Sequence, residues 1–381
     1  MRVLPGNRAA DAGARVGGDA PSARGRIPGT ERPDTTGHDR GQRPLRFGVL
    51  GAASIAPPAL IGPARRIGGE EGVAVHAVAA RDPERARAFA RRHGLPRAHD
   101  SYRALVEDPE IDAVYVALPN ALHAEWTERA LAEGKHVLCE KPLASNAAAA
   151  ERIAAEVDAR KPGLIVMEAL HYRHHPLAAR AREIVASGEI GAVRSVEARF
   201  CVPLLSPRDI RYRYDLAGGA TMDLGCYAID LIRLLGDAAA MEVTSAVALL
   251  ADDPRIDRAM EADFRLRGAD GSEGTASMRC SLRSRTLLSL GATVVGDAGA
   301  LRLVNPFLPH FYARCEVRAA DGRLRRFEPV PREATYDFQL RAFARAARGD
   351  GPVVTDAALA AANLRVIDAV YEKAGLPRRG M

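Results

Sequence analysis

Leu45-Arg46-Phe47-Gly48-Val49-Leu50-Gly51-Ala52-Ala53-Ser54-Ile55-Ala56 is the stretch on which the fold turns. Residues 46–50 read as a short buried strand, and the small-residue turn from Gly51 to Ser54 leads directly into a helical stretch. The turn matches the dinucleotide fingerprint in part, because Ala53 and Ala56 stand where the second and third glycines usually stand. Residues this small still let backbone approach a pyrophosphate at a helix N-terminus, although a plain strand-to-helix turn has the same composition.

Downstream, strands at 73–80, 113–118, 136–139 and 164–167 alternate with helices at 83–93, 101–107, 123–133 and 147–160. That alternation argues for parallel βαβ units in a doubly wound sheet, a nucleotide-binding architecture. After a break at Lys161-Pro162-Gly163 the pattern changes. Strands at 190–200, 241–250, 260–267, 274–282, 286–295, 300–304 and 312–318, with turns such as Ala269-Asp270-Gly271, indicate a largely antiparallel sheet. A helix at 225–235 interrupts it, and helices at 336–348 and 357–374 close the chain. The fold class is therefore α/β: a doubly wound parallel sheet over 45–165, then an α+β domain over 166–376 with a large, mostly antiparallel open sheet. Helices 336–374 are expected to pack back toward the first domain.

Upstream, residues 1–44 lack apolar periodicity and read as a disordered tail. They hold eight Arg against five acidic residues, which is +3 of the chain's formal +6, so the remainder is too mildly basic to argue for nucleic acid. Five scattered cysteines without a C-x-x-C pair indicate neither a disulfide framework nor structural zinc. No run is long enough to span a bilayer and no apolar signal segment is present, so a reduced, cytoplasmic protein is expected. Of 54 basic residues only Lys135, Lys141, Lys161 and Lys373 are Lys, which makes each a candidate for a place where a compact, tunable ammonium is needed and Arg would not serve.

Where NAD-binding folds place an acid on the ribose 2′-hydroxyl, this chain has Ala80-Arg81-Asp82 with Arg85 one turn on. An Arg there suits a 2′-phosphate and favours NADP, while Asp82 keeps NAD as the alternative. Leu118-Pro119-Asn120-Ala121-Leu122-His123 ends a strand at the sheet's carboxyl edge, where ligands bind, and Asn120 and His123 are candidates for the nicotinamide ribose. As bare residues they also read as a turn and a helix cap. Glu168-Ala169-Leu170-His171-Tyr172-Arg173-His174-His175 gathers three His, but their spacing matches no catalytic zinc motif and no metal is expected.

Glu140-Lys141-Pro142 after a strand, Leu118-Pro119-Asn120 with His123, and Gly218-Gly219-Ala220-Thr221-Met222-Asp223-Leu224-Gly225-Cys226-Tyr227 together resemble the glucose-fructose oxidoreductase, inositol dehydrogenase and rhizopine-catabolism family, written Gfo/Idh/MocA. The resemblance covers residues 45–374. It implies a Rossmann domain and an open-sheet domain whose inner face covers the nicotinamide and whose outer face commonly dimerises, hence a homodimer or homotetramer. It implies that Lys141 hydrogen-bonds the reacting oxygen, with Glu140 and Pro142 positioning it. Many relatives carry His where this chain has Tyr227, and Tyr resembles the branch of glucose-fructose oxidoreductase, dihydrodiol dehydrogenase and xylose dehydrogenase, where it is the general acid/base. His171 and Arg173 are expected at the substrate, Arg173 also at the cofactor amide. Gly51, Ala53, Ser54, Ile55, Arg81, Arg85, Leu118, Pro119, Asn120, His123 and Glu140 are expected at the cofactor.

The chemistry agrees. Hydride transfer at a carbinol carbon must be matched by proton transfer at its oxygen, which requires a proton carrier and a cation. Tyr227 supplies the first and Lys141 the second, and the ammonium is expected to lower the phenol's pKa. Asp223, four residues before Tyr227, orients either partner if the helix has begun, or answers the helix dipole. The expected activity is NADP-dependent oxidation or reduction of a sugar-like alcohol or carbonyl. The alternatives are an NAD(P)-binding regulator without turnover and an NAD-dependent glycosidase.

Overall fold

The computed structural model describes residues 43–159, 163–204, 206–236, 238–268 and 271–380. The tail expected over 1–44 lies outside these except for Arg43 and Pro44, as do Lys161-Pro162 and Ala269-Asp270 of the expected break and turn.

The first sheet is built from β1 (Leu45–Leu50), β2 (Val73–Ala79), β3 (Arg97–His99), β4 (Ala113–Val116), β5 (His136–Cys139) and β6 (Val166–Glu168). Their order is β3-β2-β1-β4-β5-β6 and every pairing is parallel. Parallel strands covered on both faces read as continuous apolar runs, and all four residues of β4, Ala-Val-Tyr-Val, are buried. Helices α1 (Gly62–Glu71), α2 (Pro83–Arg92), α3 (Tyr102–Val106), α4 (His123–Ala132) and α5 (Ala147–Ala159) connect them. The strand order reverses between β1 and β4, which opens a crevice at the carboxyl ends of those two strands. The sheet continues to Glu168, three residues past the boundary expected at 165.

The second sheet contains β7 (Val193–Cys201), β8 (Ala240–Leu250), β9 (Asp257–Arg267), β10 (Glu273–Ser281), β11 (Ser289–Gly296), β12 (Gly299–Val304), β13 (Arg314–Ala319) and β14 (Leu324–Glu328), in the order β14-β13-β12-β11-β7-β10-β9-β8. All its pairings are antiparallel except β7 with β10. Helices α6 (Pro176–Ala186) and α7 (Cys226–Leu235) lie against one face. The other carries ion pairs such as Arg279–Glu261 at 2.8 Å and Arg265–Glu242 at 3.3 Å. The alternation in β9, where Phe264 and Leu266 are buried and Arg265 and Arg267 exposed, follows from this two-sidedness.

Helix α8 (Thr335–Ala347) returns to the first sheet, with the Phe343 and Phe47 ring centroids 5.1 Å apart and Asp337 paired to Arg66 at 2.6 Å. Helix α9 (Ala357–Lys373) packs on α5 and β8. Three elements went unanticipated. β3 is three residues long, β14 is Leu-Arg-Arg-Phe-Glu with no apolar face, and α6 follows at once on a His-rich run that drew attention as a site. Local pattern is weakest where tertiary pairing supplies the stability.

Candidate active site at the carboxyl edge of the parallel sheet

Gly51 ends β1 with φ +104°, and a Cβ there would lie 2.3 Å from the Ala117 carbonyl oxygen at the end of β4. Only glycine permits that approach, so the switch point is cradled by bare backbone. Ala53 and Ile55 are half-buried and Ser54 is exposed. Arg85 reaches back across the turn to donate to the Ala52 carbonyl at 3.2 Å, and Arg81 stands exposed at the end of β2. Asp82 spends one carboxylate oxygen on the Glu84 N–H at 3.0 Å, capping α2. A dinucleotide fits here: a close-approach glycine at the pyrophosphate position and two guanidinium groups where an adenosine ribose with a 2′-phosphate would lie.

Across the crevice, Lys141 Nζ donates to Asp223 Oδ1 at 2.6 Å and to the Asp223 carbonyl at 2.7 Å. Asp223 sits in a wide π-helical turn, Thr221–Gly225, that runs into α7 and aims its carbonyl and carboxylate the same way. Its Oδ2 accepts from Arg211 Nε at 2.7 Å, and Arg211 also binds Asp209 at 3.0 Å. Burial alone would push the Asp223 carboxyl up, but the Lys141 and Arg211 cations outweigh it and hold it below the ordinary range. Burial likewise opposes the Lys141 charge, and Asp223 more than compensates, so the ammonium is raised and stays charged. Asp223 is thus the partner of Lys141.

The Lys141 ammonium lies 5.1 Å from the Tyr227 ring centroid, over its face. Tyr227 is 5% exposed and packed among His171, Tyr172, Phe200 and Phe307. Burial, reinforced by Tyr336 and Glu140, pushes the phenol well above its ordinary value. The expectation that Lys141 lowers it is therefore corrected: the cation meets the ring face, and desolvation dominates.

Other expected contacts are redirected. His123 is 1% exposed, with Nδ1 2.7 Å from the Pro142 carbonyl oxygen and Nε2 2.8 Å from that of Leu118. Each ring nitrogen faces a carbonyl oxygen, so the single N–H of the neutral imidazole is spent on the loop after β4 or on the Lys141-Pro142 loop and is not offered to a ribose. Glu140, also expected at the cofactor, is buried and accepts from the Tyr115 hydroxyl. Asn120 donates to the Ala217 carbonyl at 3.0 Å, while Leu118 is buried and Pro119 half-buried beside it. Arg173 turns to Asp230 at 3.8 Å, below Tyr227 on α7. The three histidines diverge: His171 bonds Thr335 Oγ1 at 2.9 Å, His174 lies 3.4 Å from Thr355 Oγ1, and His175 caps α6. Burial drives His171 down to about 3, so it is neutral beside Tyr227.

Sequence reading missed Tyr336, whose ring centroid is 4.3 Å from that of His171, and Phe200 and Phe307, which stack at 4.4 Å as a wall behind Tyr227. It also missed Arg211. None lies near a motif; the one available signal for Arg211 was its place in a loop dense in Arg and Asp ahead of Gly218-Gly219.

Glu168, at the end of β6, accepts from the Leu143 N–H at 2.8 Å with one oxygen, while the other is buried with no partner. Burial pushes its carboxyl up to about 7. Between the unfolded value of about 4.3 and 7 the folded chain keeps a proton that the unfolded chain has lost, so stability falls as pH rises, by roughly 4 kcal/mol in all. Glu168→Gln keeps the acceptor for Leu143 and does not titrate. Its unfolding free energy relative to wild type is expected to improve by up to that amount between pH 5 and pH 8 in urea titrations; a pH-independent difference would refute the assignment.

Comparison with known proteins gives the same architecture a lineage. Residues 45–168 match the model of an oxidoreductase family with an NAD-binding Rossmann fold, and residues 178–302 match the GFO/IDH/MocA C-terminal domain. The chain is 39% identical over 337 residues to D-xylose 1-dehydrogenase (NADP(+)) 2 of Haloferax volcanii, covering 87% of this chain and 97% of that protein. It is 36% identical over 363 residues to the dTDP-3,4-didehydro-2,6-dideoxy-alpha-D-glucose 3-reductase of Streptomyces violaceoruber, covering 89% and 98%. Among solved structures, a 3-ketoreductase from Actinomadura kijaniata in complex with NADP and TDP-benzene superposes with a TM-score of 0.76 at 31% identity, covering 87% of this chain and 98% of that one. Matches across both sheets, together with a glycine-cradled switch point, make this chain an oxidoreductase of the GFO/IDH/MocA family.

Proposed function

We propose that the chain is an NADP(H)-dependent oxidoreductase acting between a CH-OH and a C=O carbon of a sugar-like substrate: a pyranose, a keto-sugar or a cyclic polyol. The observation that carries this reading is the Lys141 ammonium held by Asp223 beside the Tyr227 phenol, at the crevice that Gly51 opens. Arg81 and Arg85 favour the 2′-phosphate, the Haloferax volcanii xylose dehydrogenase named above is NADP-linked, and the Actinomadura kijaniata ketoreductase structure holds NADP.

When bound, NADP(H) supplies or accepts the hydride. An ammonium has three N–H groups, and Lys141 spends two on Asp223. The third has no hydrogen-bond partner among the described residues and is placed to donate to the substrate oxygen and stabilise negative charge as it develops there. Tyr227, a phenol that burial keeps protonated well above neutral pH, delivers a proton to that oxygen in reduction and takes it back in oxidation. Reduction consumes a proton and oxidation releases one, so oxidation gains as pH rises. Neutral His171 and the Phe200–Phe307 wall exclude water from the ring edge.

The test is NADPH oxidation against a panel of free and nucleotide-activated keto-sugars, with NADP reduction against the matching alcohols. Turnover is expected with NADPH preferred over NADH, and Arg81→Ala with Arg85→Ala should erase that preference by raising KM for NADPH about 10-fold or more. Tight NADPH binding with no consumption across the panel would instead mark a cofactor-sensing regulator.

A further inference from the structure

Lys141, Asp223 and Tyr227 leave, among the described residues, one fully buried ion pair without a task. Arg379, two residues before the C-terminal Met381, and Asp257 at the start of β9 are both 0% exposed and lie 3.0 Å apart. A buried pair of this kind is weak evidence for stability, since its desolvation offsets its attraction. What it does impose is geometry. Arg379 Nε donates to the Gly218 carbonyl at 2.7 Å, and the guanidinium lies over the Tyr371 ring at 4.0 Å. Asp257 Oδ1 also accepts from Tyr371 at 3.0 Å, while Oδ2 accepts from both the N–H and the hydroxyl of Thr221 at 2.7 Å. Thr221 opens the π-helical turn that places Asp223 on Lys141.

Gly219 shows how closely this is packed. Its φ is +134°, and a Cβ there would fall 2.2 Å from Asp257 Oδ1. The same C-terminal segment grips the other half of the site. The Arg379 carbonyl accepts from Asn146 at 2.8 Å, five residues past Lys141, and Tyr214, in the loop after Arg211, donates to the Arg378 carbonyl at 2.9 Å. The last residues thus touch both segments whose meeting point is the Lys141–Asp223 bond.

We propose that Arg379 is a positioning residue: through Asp257 and Thr221 it fixes the turn that holds Asp223 on Lys141, so the segment after α9 sets the placement of the reacting ammonium. The proposal rests on the reading of Lys141 given above, and its test separates the two. The variants are Arg379→Met, Arg379→Lys, which keeps charge but loses the fork, and a chain ending at Pro377. A control, Leu301→Ala in β12, lowers stability away from these loops.

The chain has only four lysines, so lysine labelled with 13C at Cε gives a resolvable NMR titration of Lys141, assigned by its loss in Lys141→Met. Arg379→Met and the truncation are expected to titrate Lys141 at lower pH than wild type while Lys135 stays unmoved, and to lower kcat about 10- to 100-fold with NADPH affinity within about 2-fold. Added guanidinium should restore part of the kcat, and Arg379→Lys should lie between. An unmoved Lys141 titration in these variants, or the same kcat loss in Leu301→Ala at equal melting temperature, overturns the proposal. The NMR arm decides it even if no sugar is turned over, an outcome that would strike only at the proposed reaction.

Discussion

Lys141→Met is expected to lower kcat by on the order of 10²- to 10⁴-fold, with NADPH binding changed only a few-fold. Methionine keeps the length and apolar stem of the side chain and deletes the charge and all three donors. Two of those donors are held by Asp223, so the site's cation is already oriented before substrate arrives. Pre-oriented charge in a water-poor site is among the largest contributions an enzyme makes, because no reorganisation is needed as the oxygen becomes negative. After the substitution Asp223 retains Arg211 at 2.7 Å, so the turn keeps one of its two cations and the variant should fold. Steady-state NADPH oxidation with the best substrate from the panel is the measurement. Turnover equal to wild type would remove Lys141 from the chemistry and with it the proposed mechanism.

The second large effect is expected at the opposite wall. Gly51→Ala should weaken NADPH binding about 100-fold, measured by fluorescence titration, while leaving the second domain folded. The residue's φ of +104° is strained for any L side chain, and the added Cβ would lie 2.3 Å from the Ala117 carbonyl oxygen. Strain of that kind costs about 1–3 kcal/mol at one residue, and the backbone can relieve it only by opening β1 from β4 where the pyrophosphate is expected to sit. Unchanged affinity would mean that the dinucleotide does not approach this turn. Ala53 and Ala56, by contrast, already carry a Cβ in place of the second and third glycines, which explains why the fingerprint was legible only in part.

Both sheets could be read from local pattern because each announces its own physics. The parallel sheet shows as apolar runs such as Ala113 to Val116, and the open sheet as alternation such as that along β9. Lys141 stood out through the rarity of Lys in this chain and the motif around it. The roles of its neighbours did not. His123, Glu140 and Arg173 were read as groups that meet the cofactor, and the fold turns all three inward to carbonyls, to Tyr115 and to Asp230. A residue type states what a side chain is able to bond; which bond it makes depends on what the tertiary structure buries beside it.

The same division governs the charges. The sequence, through the motifs that resemble the family, led to the expectation that the Lys141 ammonium, the Asp223 carboxylate and the Tyr227 phenol lie together, and the structure brings Lys141 against both of the others. Only the tertiary structure decided that the ammonium bonds Asp223 and meets Tyr227 at its ring face, that burial raises the phenol, and that Arg379, 238 residues after Lys141 in the chain, bonds the Gly218 carbonyl and Asp257. Desolvation and packing depend on every element that surrounds a group, and those elements are brought together only when both sheets and the C-terminal segment have docked.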